Sequence, residues 1–387
     1  MIKTISRQFN WLGAVAIAVL CMAAGIAQAQ VKLPPTVSWS TYGVGTGSYN
    51  EAVAQAAGIK KRYRTDLRLL PTRNDISKIA PLRSGAVDFS AMGSGVLFTQ
   101  EGVYDFANQS WGPQKVMLLG INLFPAHVGF FTSAKGGIKQ VSDLRGKRVP
   151  YVRGAPTLQE VMRGILAFGG LTFKDVTLVE VAGFIANIQA FTQGQTDIAI
   201  ANTLSPVSKR GDASPYGPVY WPPFPHDDDA AWERLQKILP YAKKIVTSQG
   251  TRIPKNFQGI TYALPVLIAY DRKGNDIVYN MTKAVFESYP DYKDALASAK
   301  GWRLTSDSFD YPIPVHPGAV RFYKEKGLWK PENDRNNAKL VKRQQVLAEA
   351  WKAAIANKGM ADDAFRIAWL RTRADYLEKA GFDPIWR

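Results

Sequence analysis

Short apolar stretches alternate with helical patterns along the first half of the chain. The apolar stretches predict strands at 37–42, 67–70, 87–92 and 148–152, and the patterns between them predict helices at 50–57, 75–83 and 157–168. Strands that alternate with helices in this way build α/β folds, in which helices cover a sheet of parallel strands. The chain is therefore predicted to be an α/β protein.

One ten-residue pattern occurs twice in the chain. Residues 82–91 and 191–200 each run from a helix end through a glycine, two further residues and an aspartate into a strand. Glycine in this place, Gly85 or Gly194, is typical of a helix C-cap. The two copies predict two α/β lobes of similar build, which also suits a chain too long for one core. The alternative is that the pattern is only a common helix-to-strand turn.

Two later segments differ from this alternation. Residues 214–225 are crowded with proline, glycine and aromatic residues, which predicts a surface loop. His-Asp-Asp-Asp at 226–229 then favours the acidic N-terminus of a helix over a metal site. The final stretch, 334–387, is helical and rich in lysine and arginine, and we expect Phe365 and Trp369 to pack it against the body.

The first 29 residues predict a secretory signal peptide. Lys3 and Arg7 precede an apolar run that ends in Ala27-Gln28-Ala29, a small-residue cleavage site. Cleavage after Ala29 also removes Cys21, the only cysteine, so the mature chain is predicted to lack disulfides, thiolate metal sites and a cysteine nucleophile. The expected location is the periplasm.

The net charge and the sequence motifs limit the classes of function that the chain can have. The net charge of +17 favours anionic ligands or partners, although general solubility explains it equally well. The chain has three histidines and no catalytic or nucleic-acid signature that we recognise. We therefore predict no cofactor, no metal, no nucleic-acid partner and no enzymatic activity, with a periplasmic hydrolase built on a carboxylate pair left open.

Three glycine-containing turns follow predicted strands and lead into predicted helices. They are Gly43–Tyr49, Gly93–Gly95 and Arg153–Thr157. Ligands of open α/β sheets lie at the carboxyl ends of the strands, and helix N-termini there direct free N–H groups at negative charge. Turns from both lobes that meet in this way predict a cleft for a small anion.

The predicted ligand-binding residues come from these turns and from one further position. They are Gly45, Thr46, Gly47, Ser48, Tyr49, Gly93, Ser94, Arg153, Gly154, Thr157 and Asn202. Arg153 is predicted to grip a carboxylate, with a surface position as the alternative, and each hydroxyl has the alternative of a helix cap. A dinucleotide site is excluded, because Ser48 replaces the last glycine of that fingerprint.

Five segments resemble, in family order, the TAXI-type solute receptors of tripartite ATP-independent periplasmic (TRAP) transporters. They are 45–49, 82–88, 138–149, 278–286 and 313–319. The last is the most specific, and the resemblance makes His316 within it a structural residue. The Asp-Leu-Arg-Gly-Lys-Arg-Val stretch of 138–149 also resembles receptors of ATP-driven importers. The turn at 153–157 and the chain beyond about 334 depart from the family.

This resemblance implies a two-lobed periplasmic-binding-protein type II (Venus flytrap) fold with parallel-rich sheets and a hinge. It places lobe I at 30–127 plus 263–333 and lobe II at 128–262, with 334–387 as a C-terminal helical extension. The implied function is a receptor that captures a small anionic solute, an organic acid or acidic amino acid, and we expect a clamp that must open to be monomeric. A fused, sodium-coupled TRAP permease in the inner membrane is the implied partner. An ATP-driven importer and a sensory receptor remain alternatives.

Overall fold

The computed structural model describes residues 31–356 and 359–386, so the predicted signal peptide lies outside the described residues. The strands are β1 (Thr36–Thr41), β2 (Asp66–Pro71), β3 (Phe89–Met92), β4 (Val116–Ile121), β5 (Val128–Ser133), β6 (Arg148–Val152), β7 (Thr177–Val181), β8 (Ile198–Asn202), β9 (Val219–Tyr220), β10 (Lys243–Thr247), β11 (Phe257–Thr261) and β12 (Val266–Tyr270).

Twelve helices accompany these strands in the described part of the chain. They are α1 (Gly47–Tyr63), α2 (Asp75–Ser84), α3 (Gly95–Glu101), α4 (Pro156–Phe168), α5 (Phe184–Thr192), α6 (Ser208–Asp212), α7 (Asp229–Ile238), α8 (Asn275–Glu287), α9 (Tyr289–Tyr292), α10 (Pro317–Glu325), α11 (Pro331–Ile355) and α12 (Asp362–Lys379).

The first lobe is built on a five-stranded sheet in the order β2-β1-β3-β12-β4. Strand β1 pairs in parallel with β2 and β3, whereas β12 runs antiparallel to both β3 and β4. Large apolar side chains such as Trp39 and Phe89 are fully buried against this sheet. The carboxyl ends of β1, β2 and β3 therefore lie at one edge, as expected for parallel strands.

The second lobe contains the strands from β5 to β11. Its sheets have the orders β8-β5-β9, β6-β7 and β10-β11, and the β6-β7 pair is parallel. One core cluster joins Phe130 of β5, Ile165 of α4 and Leu235 of α7, all without exposed surface. This core is separate from the sheet of the first lobe.

The chain crosses between the lobes twice. It leaves β4 at Ile121 and enters β5 at Val128, and it returns from the end of β11 at Thr261 to β12 at Val266. The predicted fold class, a two-lobed α/β protein, is confirmed. The lobe boundaries at 127/128 and 262/263 stay predictions.

The repeated ten-residue pattern has the same structural role in both lobes. Asp88, just before β3, accepts a hydrogen bond from the Ser38 amide of β1 at 2.8 Å. Asp197, just before β8, accepts one from the Arg148 amide of β6 at 2.7 Å. Burial alone would raise the pKa of both carboxyls, but these hydrogen bonds and the cations Lys273 and Arg148 lower it overall. Each aspartate thus ties a strand to its neighbour.

Two local expectations need adjustment. Helix α1 is longer than the predicted 50–57. Thr46 caps its N-terminus, so the first turn of the helix already begins at Gly47. The predicted loop at 214–225 contains the two-residue strand β9, which pairs with β5 at the edge of its sheet. By contrast, Asp228 caps α7 by accepting a hydrogen bond from the Ala231 amide, which matches the predicted acidic helix start.

Helices α11 and α12 form a helical hairpin on the first lobe. Phe365 and Trp369 are buried together with Ala107 and Ala350, as the sequence predicts, and Trp369 donates to the Gly102 carbonyl at 2.6 Å. Like the other described helices, neither of these is long and apolar enough to cross a membrane.

Candidate functional site

Turns from the two lobes touch directly in this structure. The Thr157 amide of α4 donates a hydrogen bond to the Asp75 carboxylate of α2, at 3.0 Å and out of contact with solvent. The Asn74 side chain donates to the Arg153 carbonyl at 3.2 Å, and the Ile76 amide lies 3.4 Å from the Gly154 carbonyl. The cleft between the lobes is therefore closed along this line.

Local sequence explains why these groups face each other. Asn74 caps α2 and exchanges hydrogen bonds with Ser77, which fixes the start of that helix and the position of Asp75 beside it. Pro156 opens α4 and has no N–H group, so Thr157 supplies the first free amide of that helix. A carboxylate at this amide is stabilised by the positive end of the helix dipole.

A buried lysine lies next to this contact. Lys78 is 1% exposed, and its Nζ atom lies 3.1 Å from the ring centre of Tyr42 and 3.9 Å from Asp75 Oδ1. This ammonium makes no hydrogen bond with any described residue. Burial lowers the pKa of Lys78 to about 8, although the Asp75 carboxylate acts in the opposite direction. Asp75 and the Tyr42 ring offset part of the cost of burying this ammonium, and a hydrogen-bond acceptor at Lys78 Nζ would offset more of it.

Three tyrosines and a serine complete the buried surroundings. Tyr241 and Tyr262 of the second lobe pack edge to face with ring centres 5.4 Å apart. Burial raises the pKa of Tyr241, and the nearby Tyr262 and Tyr311 raise it further. The Ser94 hydroxyl acts in the opposite direction and lowers this pKa. Burial also raises the pKa of Tyr262, and Ser94 acts in the opposite direction there too. Ser94 is fully buried.

A second group of predicted residues meets at a small cavity of about 30 Å³. Gly47 and Ser48 of the first lobe and Asn202 of the second line it together with Glu51. The Glu51 carboxylate accepts hydrogen bonds from Asn122 at 2.7 Å and from the Trp302 indole at 3.1 Å. Burial nevertheless raises the pKa of Glu51 to about 7. This acid was not among the predicted site residues.

The remaining predicted residues of the first lobe have mainly backbone roles. Thr46 accepts a hydrogen bond from the Tyr49 amide at 3.2 Å, which is the helix-cap alternative. Gly45 has a φ of 85°, and a Cβ there would lie 3.6 Å from an Arg210 nitrogen. Gly93 packs so closely on Tyr42 that a Cβ would lie 2.4 Å from the phenol oxygen.

The predicted residues of the second lobe divide into surface and interior positions. The Arg153 side chain is 72% exposed and pairs with Glu180 at 3.2 Å, so its grip on a carboxylate stays a prediction. Gly154 has a φ of 65°, and a Cβ there would collide with the Asn74 amide. Thr157 is buried, and its hydroxyl makes no hydrogen bond within the described part of the chain.

The NMT1-like family matches residues 41–327. The chain belongs to the NMT1-like family. The matched range contains every contact between the lobes described above and ends just before α11. The C-terminal hairpin of this NMT1-like chain thus lies beyond the family match.

Several solved structures are similar to this NMT1-like chain. The alkanesulfonate-binding protein SsuA from Xanthomonas axonopodis pv. citri, bound to MOPS, is 15% identical with a TM-score of 0.40, over 83% of this chain and 94% of its own. The periplasmic aliphatic sulphonate binding protein SsuA from Escherichia coli is 14% identical with a TM-score of 0.39, over 86% and 92%.

A further similar structure concerns glutathione import via GshT and the cystine ABC importer TcyBC of Streptococcus mutans. It is 12% identical to this NMT1-like chain with a TM-score of 0.42, over 72% of this chain and 95% of its own. These neighbours are solute-binding or import proteins by name, and identities this low leave the ligand of this chain unassigned.

Sequence reasoning missed Tyr42, Asp75 and Lys78 in this NMT1-like chain. The turn after β2 contains no glycine, so a search for glycine-containing turns passes over it. The signal was nevertheless present, because β2 is parallel to β1 and its carboxyl end must lie at the same sheet edge. An aspartate and a lysine three residues apart at the start of the following helix then belong to the site.

Two histidines have structural roles. His316 caps α10, and its Nδ1 accepts a hydrogen bond from the Gly318 amide at 3.1 Å. His127 is fully buried, and its Nδ1 accepts a hydrogen bond from the Ile260 amide at 3.1 Å. Burial lowers the pKa of His127 to about 3, which keeps the ring neutral. The structural role that the resemblance implied for His316 agrees with this cap.

Proposed function

We propose that this protein is an exported solute-binding receptor that closes its two lobes on a small anionic solute and delivers it to a membrane transporter. The mechanism is hinge closure, in which a ligand that contacts both lobes stabilises the closed form over the open one. The proposal includes a periplasmic location, no chemical conversion of the ligand and a monomeric state.

The buried Lys78 ammonium, which makes no hydrogen bond with any described residue, is the observation that carries this proposal. It is buried between elements that contact the second lobe, and the free Thr157 hydroxyl faces the same region from the other side. An anionic ligand accepts hydrogen bonds from both groups and offsets the buried positive charge. Asp75 Oδ1 lies 3.9 Å from Lys78 Nζ, so a bound anion would share this ammonium with the Asp75 carboxylate.

Two classes of membrane partner are candidates. The TRAP permease rests on the resemblance of five short segments to TAXI receptors. The ATP-driven importer rests on the 143–149 segment and agrees with the ABC importer named for the Streptococcus mutans structure. The similarities to known proteins agree better with the ATP-driven importer. Uptake of the solute by membrane vesicles that carry the partner separates them, because a TRAP permease requires a sodium gradient and an ABC importer requires ATP.

Thermal unfolding against organic acids, amino acids and sulfonates tests the receptor. A ligand at a hundredfold its dissociation constant adds about 2.7 kcal/mol to the free energy of unfolding. We expect one anion to raise the unfolding temperature and to be recovered unchanged. Lys78→Met is expected to abolish the shift, and Lys352→Met, at an exposed lysine of α11, to preserve it. Arg153→Ala tests the predicted carboxylate grip.

Either of two results contradicts the proposal. Consumption of the ligand points to the periplasmic hydrolase, and an equal shift in wild type and Lys78→Met removes the ammonium from the site.

A further inference from the structure

Residues 381–386, which we call the tail, are the last described residues of the chain and are held by two arginines. Arg373 of α12 is fully buried and donates to the Ile385 carbonyl at 2.9 Å. Arg343 of α11 donates to the Asp383 carbonyl at 3.1 Å. The backbone of the tail is therefore tied to the C-terminal hairpin through charge-assisted hydrogen bonds.

Helix α3 of the first lobe anchors the same assembly. Its Glu101 carboxylate is buried and accepts hydrogen bonds from Arg343, at 2.6 Å, and from Arg373. Phe98, one turn earlier on the helix, packs edge to face on the Trp386 ring with centres 5.1 Å apart. The tail is thus fixed to the first lobe at its backbone and at its last described side chain.

The tail also reaches the second lobe. The Trp386 indole N–H donates to the Ile238 carbonyl at 3.1 Å. Ile238 is the last residue of α7, and the final carbonyls of a helix have no partner within that helix. The indole supplies a partner for one of them. A single side chain therefore packs on the first lobe and bonds to the second.

This contact lies beside the hinge. Leu97 of the first lobe, Ile245 of the second lobe and Phe382 and Trp386 of the tail line a common cavity of about 990 Å³, and both crossings between the lobes border it as well. Rotation of the lobes about these crossings changes the distance between the tail and the end of α7. Because a hydrogen bond requires a donor–acceptor distance of about 2.7–3.2 Å, the indole keeps its bond only while the lobes are closed.

We propose that the tail is a strap that favours the closed form before any solute binds, through the hydrogen bond from Trp386 to Ile238. One hydrogen bond of this kind shifts an equilibrium roughly two- to tenfold toward the state that contains it. A solute that contacts both lobes then adds to a closure that the chain already favours. The inference rests on the hinge closure of the proposed function and concerns its regulation.

Residue-resolved hydrogen exchange of the ligand-free mature chain tests the strap. The Thr157 amide is bonded across the lobes to Asp75, so its exchange rate rises with the fraction of time that the lobes are apart. The Ile200 amide is bonded within the second lobe to the Asn187 side chain, so its exchange reports the stability of that lobe alone.

Two substitutions separate the indole N–H from the ring. Trp386→Phe keeps a ring on Phe98 and removes the N–H group. We expect this variant to raise the exchange rate of the Thr157 amide roughly two- to tenfold and to leave the Ile200 amide unchanged. Trp386→Ala also removes the ring, and is expected to raise the Thr157 rate at least as much.

Trp329→Phe is the matched control. It removes an indole N–H that donates to Asp334 of α11 at 2.8 Å, a contact between the first lobe and its hairpin that does not involve the second lobe. We expect the Thr157 amide of this variant to exchange as in wild type. A general effect of tryptophan loss on the fold would appear here as well.

Two results overturn the inference. Unchanged exchange at Thr157 in Trp386→Phe removes the hydrogen bond to Ile238 from closure. Equal acceleration at Thr157 and Ile200 shows that the variant loosens the second lobe itself, and that the tail does not hold the lobes together. The exchange is measured without ligand, so failure of every compound in the thermal-unfolding panel overturns the proposed receptor function without changing these rates.

Discussion

The Asp75 carboxylate accepts a hydrogen bond from the Thr157 amide at 3.0 Å, and this bond joins the two lobes. From the sequence, we predict that an anionic ligand binds at the same helix N-terminus. In this structure the protein therefore supplies the anion itself. An incoming carboxylate either displaces Asp75 from this amide or binds beside it at the Lys78 ammonium, and both routes couple ligand binding to the interlobe contact.

Asp75→Ala is expected to favour the open form. The variant removes a buried, charge-assisted hydrogen bond, which contributes about 1.5–3 kcal/mol, from an interaction that exists only when the lobes are closed. Small-angle scattering of the ligand-free protein measures the change as a larger radius of gyration. Asp227→Ala, at an exposed aspartate, is the matched control. An unchanged radius in both variants contradicts the role of Asp75 in closure.

Gly95→Ala is expected to hinder closure while the secondary structure of both lobes is kept. A Cβ at this position would lie 2.5 Å from Thr157 Oγ1 of the second lobe and 2.8 Å from Asp75 Cγ of the same lobe, so the Asp75–Thr157 contact that joins the lobes must shift. Overpacking of this kind costs about 1–3 kcal/mol. We expect a larger radius of gyration and weaker ligand binding, with normal far-UV circular dichroism.

Gly274→Ala is the control for this variant. A Cβ at Gly274 meets only one side-chain atom, at 4.0 Å, and the backbone there has a φ of −58° that alanine adopts readily. If both alanine variants bind ligand as wild type does, the contact at Gly95 is not required for closure.

The strands and turns of the site were predictable because they depend on local signals. Glycine turns, a capping threonine and the repeated aspartate each leave a pattern in neighbouring residues. The burial of Lys78 leaves no such pattern, since a lysine in an amphipathic helix ordinarily faces solvent. Only the parallel pairing of β1 and β2, a relation between residues far apart in sequence, brings it into the cleft.

The placement of residues 381–386 was likewise beyond local reasoning. The packing of Phe365 and Trp369 follows from their spacing on one helix face. The contact of Trp386 with Ile238 joins residues 148 positions apart, and the backbone of 383–386 is also held by Arg373 and Arg343, which bind Glu101 from different helices. A charged residue that is buried by long-range pairing has no signature within its own segment.

Glu101→Gln is expected to loosen the C-terminal hairpin. Burial alone would raise the pKa of Glu101, but Arg373 and Arg343 lower it overall, so the carboxylate is the charge that balances both arginines. Loss of one partner from a buried ion pair costs about 3–5 kcal/mol. We expect a lower urea midpoint and faster proteolysis within α11 and α12.

Asp363→Asn provides the comparison for this variant, because it breaks a surface pair with Arg366 that is largely exposed. Such pairs contribute about 0–1 kcal/mol. Equal urea midpoints for Glu101→Gln and Asp363→Asn would show that the buried network does not hold the hairpin.

Glu51 is expected to make stability fall as the pH rises from about 4.5 to 7. Burial raises the pKa of Glu51 from 4.5 to about 7 in the folded chain. Below pH 4.5 the group is neutral in both states and contributes no penalty. As the pH rises, the unfolded chain releases the proton first, so unfolding is favoured progressively until the folded group also ionises near pH 7. The full loss is about 3 kcal/mol.

Glu51→Gln removes this dependence because glutamine does not titrate, while its carbonyl still accepts the hydrogen bonds from Asn122 and Trp302. Urea unfolding at pH 5 and pH 8 measures the effect, and we expect the variant to gain stability relative to wild type at the higher pH. Glu332→Gln, at an exposed position of α11, is expected to show no such gain. If wild type and Glu51→Gln lose stability in parallel, the buried carboxyl at the small cavity ionises without cost, and its pKa is not raised by burial.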